Sequence, residues 1–211
     1  MKKLKKDSLF KGTALLSISL LLTKLLGAVY LIPFYQIIGG EEQMALFNYG
    51  YSYYATILEI SAAGTPLAIA KLVAKYNALE QYDVSRRIVK LGSWLLVVMG
   101  MLGFCILFFG SDFISEQILI SKQQKFLPSD GALVLKSLSF GIPLVLVSAG
   151  FRGLFQAHEI MLPSALSQFI EQVVRIAFML GATYFVMRVL GYGVVEGNVT
   201  ATFAAAVGAV F

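Results

Sequence analysis

Residues 153–187 read GLFQAHEIMLPSALSQFIEQVVRIAFMLGATYFVM, and this stretch decides the fold class. Most of it is an apolar run long enough to cross a bilayer, which needs about 20 mainly apolar residues in one helix. The run nevertheless contains two full charges, Glu171 and Arg175, and two amides beside them, Gln168 and Gln172. A charge that faces hydrocarbon costs about 2.5–3.5 kcal/mol or more, so these side chains must face protein or water. The stretch predicts a transmembrane helix with one polar face.

The composition of the whole chain indicates an integral membrane protein. Of its 211 residues, 58% are apolar and only 14% are charged, and the mean hydropathy is +0.78. The apolar run from Leu9 to Ile38 is too long for a signal-peptide core, so we expect the first segment to stay and span. The basic residues, which give a net charge of +5, cluster at the ends of apolar runs. That distribution indicates contact with anionic membrane lipids and argues against nucleic acid as a partner.

Six apolar segments meet the length criterion for spanning helices, which predicts an all-α integral membrane fold. Pro33, Pro66 and Pro143 lie inside three of them and predict kinks, because neighbouring helices can satisfy the freed backbone groups. The last segment ends in mid-run, so we expect an incomplete helix and a longer protein. Residues 1–211 would then form an N-terminal lobe. The predicted helices cover about residues 10–38, 43–75, 88–110, 132–156, 161–187 and 193–211.

Lysine and arginine residues near the helix ends predict the orientation of the chain. Cytoplasmic loops carry an excess of these residues, and a cytoplasmic N-terminus places eleven of them inside and four outside. We therefore expect a multi-pass plasma-membrane protein. Its outer 111–131 loop is expected to be either a short surface helix capped by Asp112 or a solvated connector. The inside set is Lys2, Lys3, Lys5, Lys6, Lys11, Lys71, Lys75, Arg86, Arg87, Lys90 and Arg152, and the outside set is Lys122, Lys125, Lys136 and Arg188.

Polar residues recur at spacings of three and four along the first, second and fifth predicted helices. Such spacings place them on one face of each helix. Each of these stripes carries a charge near the middle of the membrane, which would be costly against lipid. We therefore expect the stripes to face one another across a water-accessible cavity. The candidate cavity residues are Lys24, Asn48, Ser52, Glu59, Gln168, Glu171, Gln172 and Arg175.

A structural alternative stays open for the same charges. Glu171 and Arg175 stand in the favourable i, i+4 order and could form a buried pair that only locks helices together. Lys24 could join Glu59 in the same way. The two interpretations are compatible, because paired charges can also line a cavity.

The sequence offers no catalytic constellation, so we do not expect an enzyme. The only histidine, His158, lies in a short turn, which leaves no second histidine for a catalytic or metal site. The only cysteine, Cys105, lies in an apolar stretch, so no disulfide framework can form within the chain.

Two stretches of sequence carry a resemblance to a known family. Residues 12–79, which contain LLTKLLGAVYLIPFYQIIGGEEQ, and residues 150–176, GFRGLFQAHEIMLPSALSQFIEQVVRI, resemble the polysaccharide-transporter branch of the multidrug/oligosaccharidyl-lipid/polysaccharide exporter superfamily. Within that branch they look most like the Gram-positive MurJ-type and stage V sporulation protein B-type proteins.

The resemblance implies the first six-helix bundle of a two-bundle, MATE-like transporter that rocks to open a central cavity alternately to each side. It further implies a flippase that moves a polyprenyl-diphosphate-linked cell-wall precursor, with lipid II as the expected cargo, to the outer leaflet. The C-terminal lobe of the same protein would be the other partner. No bound cofactor is implied, and a coupling cation or the membrane potential would drive transport.

The resemblance also carries roles to single residues. Lys24 in TKLLG stands where MurJ-type relatives have the arginine of SRxLG, so the diphosphate-binding role passes to it. Tyr30 stands at the second arginine of the longer motif SRxLGxxR, and Glu59 lies near a position that is basic in Gram-negative relatives. Arg175 would supply part of the missing positive charge.

Two other functions remain as alternatives. A small-molecule antiporter would use Glu59 and Glu171 to bind coupling cations. A membrane scaffold would recruit wall-building or sporulation enzymes without transporting anything.

Overall fold

The computed structural model of the chain describes residues 2–62, 64–121, 126–158 and 160–210. Some of the basic residues that predict the orientation lie outside the described part, namely the side chains of the N-terminal lysines and Lys122 and Lys125. These ranges contain ten α-helices and one π-helical turn. The helices are α1 (Lys2–Val29), α2 (Leu31–Ile38), α3 (Glu41–Ala62), α4 (Thr65–Ala78), α5 (Tyr82–Phe109), α6 (Ser111–Ser121), α7 (Pro128–Ser139), α8 (Gly141–Ala157), α9 (Met161–Tyr184), the π-helical turn (Phe185–Val189) and α10 (Val194–Ala209).

Five stretches of the described residues are helical, long and apolar enough to cross a membrane, which confirms the predicted all-α membrane fold. The sixth predicted segment corresponds to α10, which has 16 residues and is apolar but shorter than these spans. Phe211, the last residue of that segment, lies outside the described residues. The five stretches are Leu16–Ile38, Glu41–Ala78, Tyr82–Phe109, Pro128–Ala157 and Met161–Val189.

Three of the predicted spans are pairs of helices joined by a short break. The breaks fall between α1 and α2, between α3 and α4, and between α7 and α8. Pro33, Pro66 and Pro143 each lie in the first turn of the second helix, where the missing N–H has no partner to lose. Gly64 precedes α4 with φ +72°, a left-handed conformation that only glycine adopts without strain. Each predicted kink is therefore a break between two helices, with the proline in the first turn of the second helix.

The packing of the bundle is that of a protein surrounded by lipid. Large apolar side chains such as Leu21, Leu91 and Trp94 are mostly exposed, whereas several buried contacts between helices involve glycine. A Cβ on Gly50 would lie 2.5 Å from Val134, and a Cβ on Gly153 would lie 2.9 Å from the backbone oxygen of Pro66. Small residues at such crossings let helix backbones approach closely, which is how helices associate in membranes. In this bundle α9 packs mainly against α10 and α1, and α5 packs against α8 and α4.

The connection after α5 forms the helix α6, so the helical alternative for the 111–131 loop is the one observed as far as Ser121. Asp112 does not cap this helix. It lies in the first turn and forms an exposed ion pair with Lys136 of α7, with an Nζ to Oδ2 distance of 3.1 Å. The α6 helix is thereby held against the start of the next span.

Candidate functional site

The polar face of α9 points into the bundle rather than toward lipid. Ser164, Glu171 and Gln172 are buried, while Leu166 and Ile170 on the opposite face are exposed. The spacing of seven between Ser164 and Glu171 places both on one side of the helix, about 10.5 Å apart along its axis. The apolar face of α9 is therefore free to contact lipid, and its charges are surrounded by protein.

Glu171 lies between two arginines, and together the three residues form the buried charge cluster Arg152–Glu171–Arg175. Nη2 of Arg175 donates to Oε1 of Glu171 at 2.6 Å, and Nη1 of Arg152 donates to Oε2. The side chains of Arg152, Glu171 and Arg175 are 12%, 8% and 23% exposed. Both carboxylate oxygens are thus occupied by charge-assisted hydrogen bonds. With both guanidinium groups charged, the cluster keeps one net positive charge.

Arg152 reaches this cluster from the neighbouring helix α8. The hydroxyl of Ser164 donates to the backbone carbonyl of Arg152 at 3.1 Å, which fixes the level at which the arginine leaves its helix. Since Glu171 lies two turns further along α9, the Arg152 side chain must extend toward the middle of the membrane to bind it. A long side chain with a charged tip can do this while its methylene groups pack against apolar neighbours.

The last helix covers the cluster from a third side. A Cβ placed on Gly208 of α10 would lie 2.9 Å from Cβ of Arg175 and 3.1 Å from the carbonyl oxygen of Glu171. Ser148 of α8 donates to the carbonyl of Ala209 at 2.8 Å, which holds α10 and α8 together at the same level. The close backbone approach at Gly208 therefore encloses the charges.

Tyrosines of the first and second spans lie near Arg175. Arg175 lies within electrostatic range of Tyr30 and Tyr54, and the ring centroids of Tyr51 and Tyr54 are 5.7 Å apart. Nε of Arg175 is buried without a hydrogen-bond partner, as is Oε1 of Gln168 on the same face of α9. Arg175 thus keeps one buried N–H without a hydrogen-bond partner.

Lys24 lies beside the contact between α1 and α9. Ser19 donates to the carbonyl of Ala165 at 2.7 Å, and a Cβ on Gly27 would lie 3.5 Å from the amide nitrogen of Gln172. These two contacts bracket Lys24, whose side chain is exposed. The structure therefore places Lys24 at the outer edge of the same contact that holds the buried amides of α9.

The polar stripe of α3 lies on the surface of the bundle. Asn48, Ser52 and Glu59 are exposed, whereas Phe47 and Tyr54 on the other face are buried. The α3 stripe is therefore exposed, whereas Glu171 and Gln172 of the α9 stripe are buried. The charges of α9 contact α8 and α10, while the polar residues of α3 lie on the surface of the bundle.

The chain matches the family model described as "Polysaccharide biosynthesis protein" over residues 9–211. It belongs to this family. No solved structure matches the chain.

Curated relatives agree with the resemblance found in the sequence. The chain is 39% identical over 204 residues to "Lipid II flippase MurJ" of Bacillus subtilis (strain 168), which is 96% of the chain and 37% of that relative. It is 28% identical over 184 residues to the uncharacterized membrane protein YabM of the same organism, which is 87% of the chain and 32% of YabM. Stage V sporulation protein B is 27% identical over 172 residues, which is 82% of the chain and 32% of that protein. The chain thus spans about a third of the length of the relatives it matches, and the predicted kinship is confirmed.

The two structural pairings proposed from the sequence have different outcomes. The pair between Glu171 and Arg175 is present. Lys24 and Glu59 form no ion pair within the part of the chain that the structure describes, and both are exposed. Nor do the described residues bring three histidine, cysteine, aspartate or glutamate side chains together as metal ligands.

Arg152 is the member of the site that sequence reasoning missed. From the sequence, Arg152 is assigned to the cytoplasmic charges at helix ends, because it lies near the end of a predicted span. In the structure it lies five residues before the end of α8. A signal was present, since Arg152 stands between Phe151 and Gly153 inside a predicted span. Its partner lies 19 residues away on another helix, and single-helix periodicity cannot show such a pair.

Proposed function

We propose that this chain is the N-terminal part of a flippase in the bacterial plasma membrane. The complete protein would move a polyprenyl-diphosphate-linked cell-wall precursor, lipid II, from the cytoplasmic to the outer leaflet by alternating access. The observation that carries this proposal is the 39% identity to a lipid II flippase over 96% of the chain. The positive-inside distribution of basic residues supports a cytoplasmic N-terminus.

The exposed polar faces support a cavity that this bundle forms together with a second one. Lys24 on α1 and Glu59 on α3 lie on the outside of the bundle, at depths where lipid contact would be costly. Such faces must be covered by other protein or by water. A C-terminal lobe opposite them would enclose a polar cavity, in which the sugar and diphosphate are sheltered while the prenyl chain stays in lipid.

The exposed Lys24 and the partly buried Arg175 would then interact with the diphosphate in different ways. Lys24 is exposed and can bind a phosphate oxygen directly. Arg175 lies behind the contact between α1 and α9 and is held by Glu171, so it contributes positive potential from within the wall. Because the cluster retains one net positive charge in a low-dielectric setting, that potential reaches further than it would in water.

The arrangement of Glu171 disfavours the antiporter alternative at this residue. Both of its oxygens accept hydrogen bonds from arginine, so a coupling cation would have to displace a guanidinium group. Glu59 is the carboxylate left for such a cation within the described residues of the three polar stripes.

The proposal is tested with the full-length protein in vesicles that contain lipid II. Lys24→Gln is expected to lower translocation about tenfold or more, because a charge-assisted contact contributes about 1.5–3 kcal/mol. Lys24→Arg should retain most activity, since an arginine serves the same charge. Lys71→Gln, which removes an exposed lysine from α4, is the matched control and should behave as wild type.

Other outcomes would each reject the proposal. Normal translocation by Lys24→Gln would remove Lys24 from the cavity. Drug-dependent proton or sodium flux without lipid II transport would indicate the antiporter. If neutral variants at Lys24, Glu59 and Glu171 all left wall synthesis unchanged, the scaffold function would be favoured.

A further inference from the structure

A cavity separate from the proposed transport cavity lies at the end of the bundle where α4, α5 and α8 meet. It has a volume of about 280 Å³. The connection from α4 to α5 and the turn from α8 to α9 both leave the bundle at this end, which is the end where α1 begins. The cavity is therefore at a membrane surface, on the side that the basic residues predict to be cytoplasmic. Its lining residues are Asn77, Tyr82, Ser85, Arg86, Val89 and His158.

A tight turn joins α4 and α5, the two helices whose adjoining ends line this cavity. Glu80 adopts φ +59°, the one left-handed non-glycine conformation among the described residues. Its N–H donates to the carbonyl of Asn77 at 3.1 Å, and the N–H of Gln81 donates to the carbonyl of Tyr76 at 2.9 Å. A left-handed backbone conformation costs free energy for a residue other than glycine, so it persists only where the surrounding structure requires it. The turn brings the end of α4 directly against the first turns of α5.

The cavity offers hydrogen-bond donors of several kinds together with one cation. Ser85 is buried, with 5% of its surface exposed, and carries a hydroxyl into the lining. Nδ1 of His158 lies 2.9 Å from the carbonyl oxygen of Leu154. With Nδ1 donating to this carbonyl, Nε2 of the neutral ring is a hydrogen-bond acceptor, so the neutral ring does not donate to a phosphate oxygen. The amide of Asn77 and the guanidinium of Arg86 complete this set, and the lining residues that the structure describes include no carboxylate.

The surroundings of the cavity strengthen its preference for an anion. Lys75, Arg87 and Lys90 are exposed at the same end of the bundle, and Nζ of Lys75 lies 5.7 Å from the ring centroid of Tyr76. Each basic residue near an anionic membrane surface contributes about 1 kcal/mol to attraction. The acidic residues of the turn, Glu80 and Asp83, are exposed and are not part of the lining.

We propose that this cavity binds the phosphate headgroup of an anionic membrane phospholipid. Arg86 would form the ionic contact, and Ser85 and Asn77 would donate hydrogen bonds to the phosphate oxygens. The cavity lies at the end of the bundle, where lipid headgroups are expected, and Val89 and Tyr82 in its lining suit the start of an acyl chain. The site is separate from the buried charge cluster and does not depend on the proposed flippase activity.

The test compares two neighbouring arginines in the full-length protein purified in detergent. Binding of phosphatidylglycerol and phosphatidylcholine is measured by native mass spectrometry. Arg86→Gln is expected to weaken phosphatidylglycerol binding about tenfold, because it removes a charge-assisted contact. Arg87→Gln changes the net charge equally but lies outside the lining, so it should weaken binding less than about twofold.

Three outcomes would overturn the proposal. Equal weakening by Arg86→Gln and Arg87→Gln would show attraction to general surface charge only. Equal binding of phosphatidylglycerol and phosphatidylcholine would remove the preference for an anion. Displacement of the lipid by millimolar inorganic phosphate would assign the site to free phosphate. Arg86→Lys, which keeps the charge, should restore most of the binding and shows that loss in Arg86→Gln is not loss of folding.

Discussion

Charges inside the membrane are treated in two different ways in this bundle. Glu171 is buried, and both of its carboxylate oxygens bind partly buried arginines of α8 and α9. Lys24 and Glu59 are exposed on α1 and α3 and form no ion pair within the described residues. The carboxylate of the first group thus has its partners within this chain. The second needs something else beside it, because lipid is a poor neighbour for a charge.

This difference separates charges that stabilise the packing of the helices from charges that can bind a ligand. A buried charge that already has its partners contributes specificity of packing and a local potential, but it has little capacity left for a ligand. An exposed charge at the same depth costs free energy until protein, water or a ligand covers it. We therefore expect substitutions in the two groups to differ in their effect on stability and on binding.

The largest effect is expected at the centre of the buried charge cluster. Glu171→Gln leaves two buried guanidinium groups without a counter-charge, which should lower the free energy of unfolding by about 3–5 kcal/mol. The matched change Glu59→Gln affects an exposed carboxylate and should alter stability by no more than about 0.5 kcal/mol. Thermal unfolding of both full-length variants in detergent measures the contrast. Equal losses would mean that Glu171 and Glu59 have similar surroundings, which would contradict the burial of Glu171.

A smaller effect is expected from the helix that covers the cluster. Gly208→Leu would force a side chain into Arg175 and the backbone of Glu171, and such overpacking costs about 1–3 kcal/mol. Gly181→Leu is the control, since nothing lies within 4 Å of a Cβ at that position. Thermal unfolding should show a loss for the first variant and little change for the second. Matching melting temperatures would show that α10 does not enclose the charges.

The smallest effect is expected from an ion pair outside the membrane core. Asp112→Asn removes the exposed pair with Lys136 and should lower stability by no more than about 1 kcal/mol. The loss should shrink as salt is added, because exposed charges are screened. Unfolding at low and high ionic strength measures this. A loss as large as that of Glu171→Gln, or one that does not respond to salt, would show that burial is not what separates strong from weak pairs here.

The sequence predicted the helical segments well because length and hydropathy are local properties. Pro33, Pro66 and Pro143 also predicted where spans bend, since a missing N–H acts at its own position. The pairing of Glu171 with Arg175 followed from a spacing of four on one helix. Each of these inferences needed no knowledge of which helix lies beside which.

The arrangement of the charges between helices could not be predicted in the same way. Arg152 joins Glu171 only because α8 and α9 run side by side, with Ser164 setting their level. Likewise, α3 and α9 have similar polar stripes, yet one is exposed and the other buried. Periodicity shows that a helix has a polar face, and the neighbours of that helix decide where the face points.

One net positive charge held about halfway along α9 also interacts with the membrane potential. A unit charge that crosses a full potential of 100 mV changes its energy by about 2.3 kcal/mol. The cluster cannot lose its charge easily, because arginine stays protonated. Any rocking that carries α9 along the membrane normal would therefore do work in the field of the cell. In a membrane that is negative inside, that field favours the position of the bundle closer to the cytoplasm.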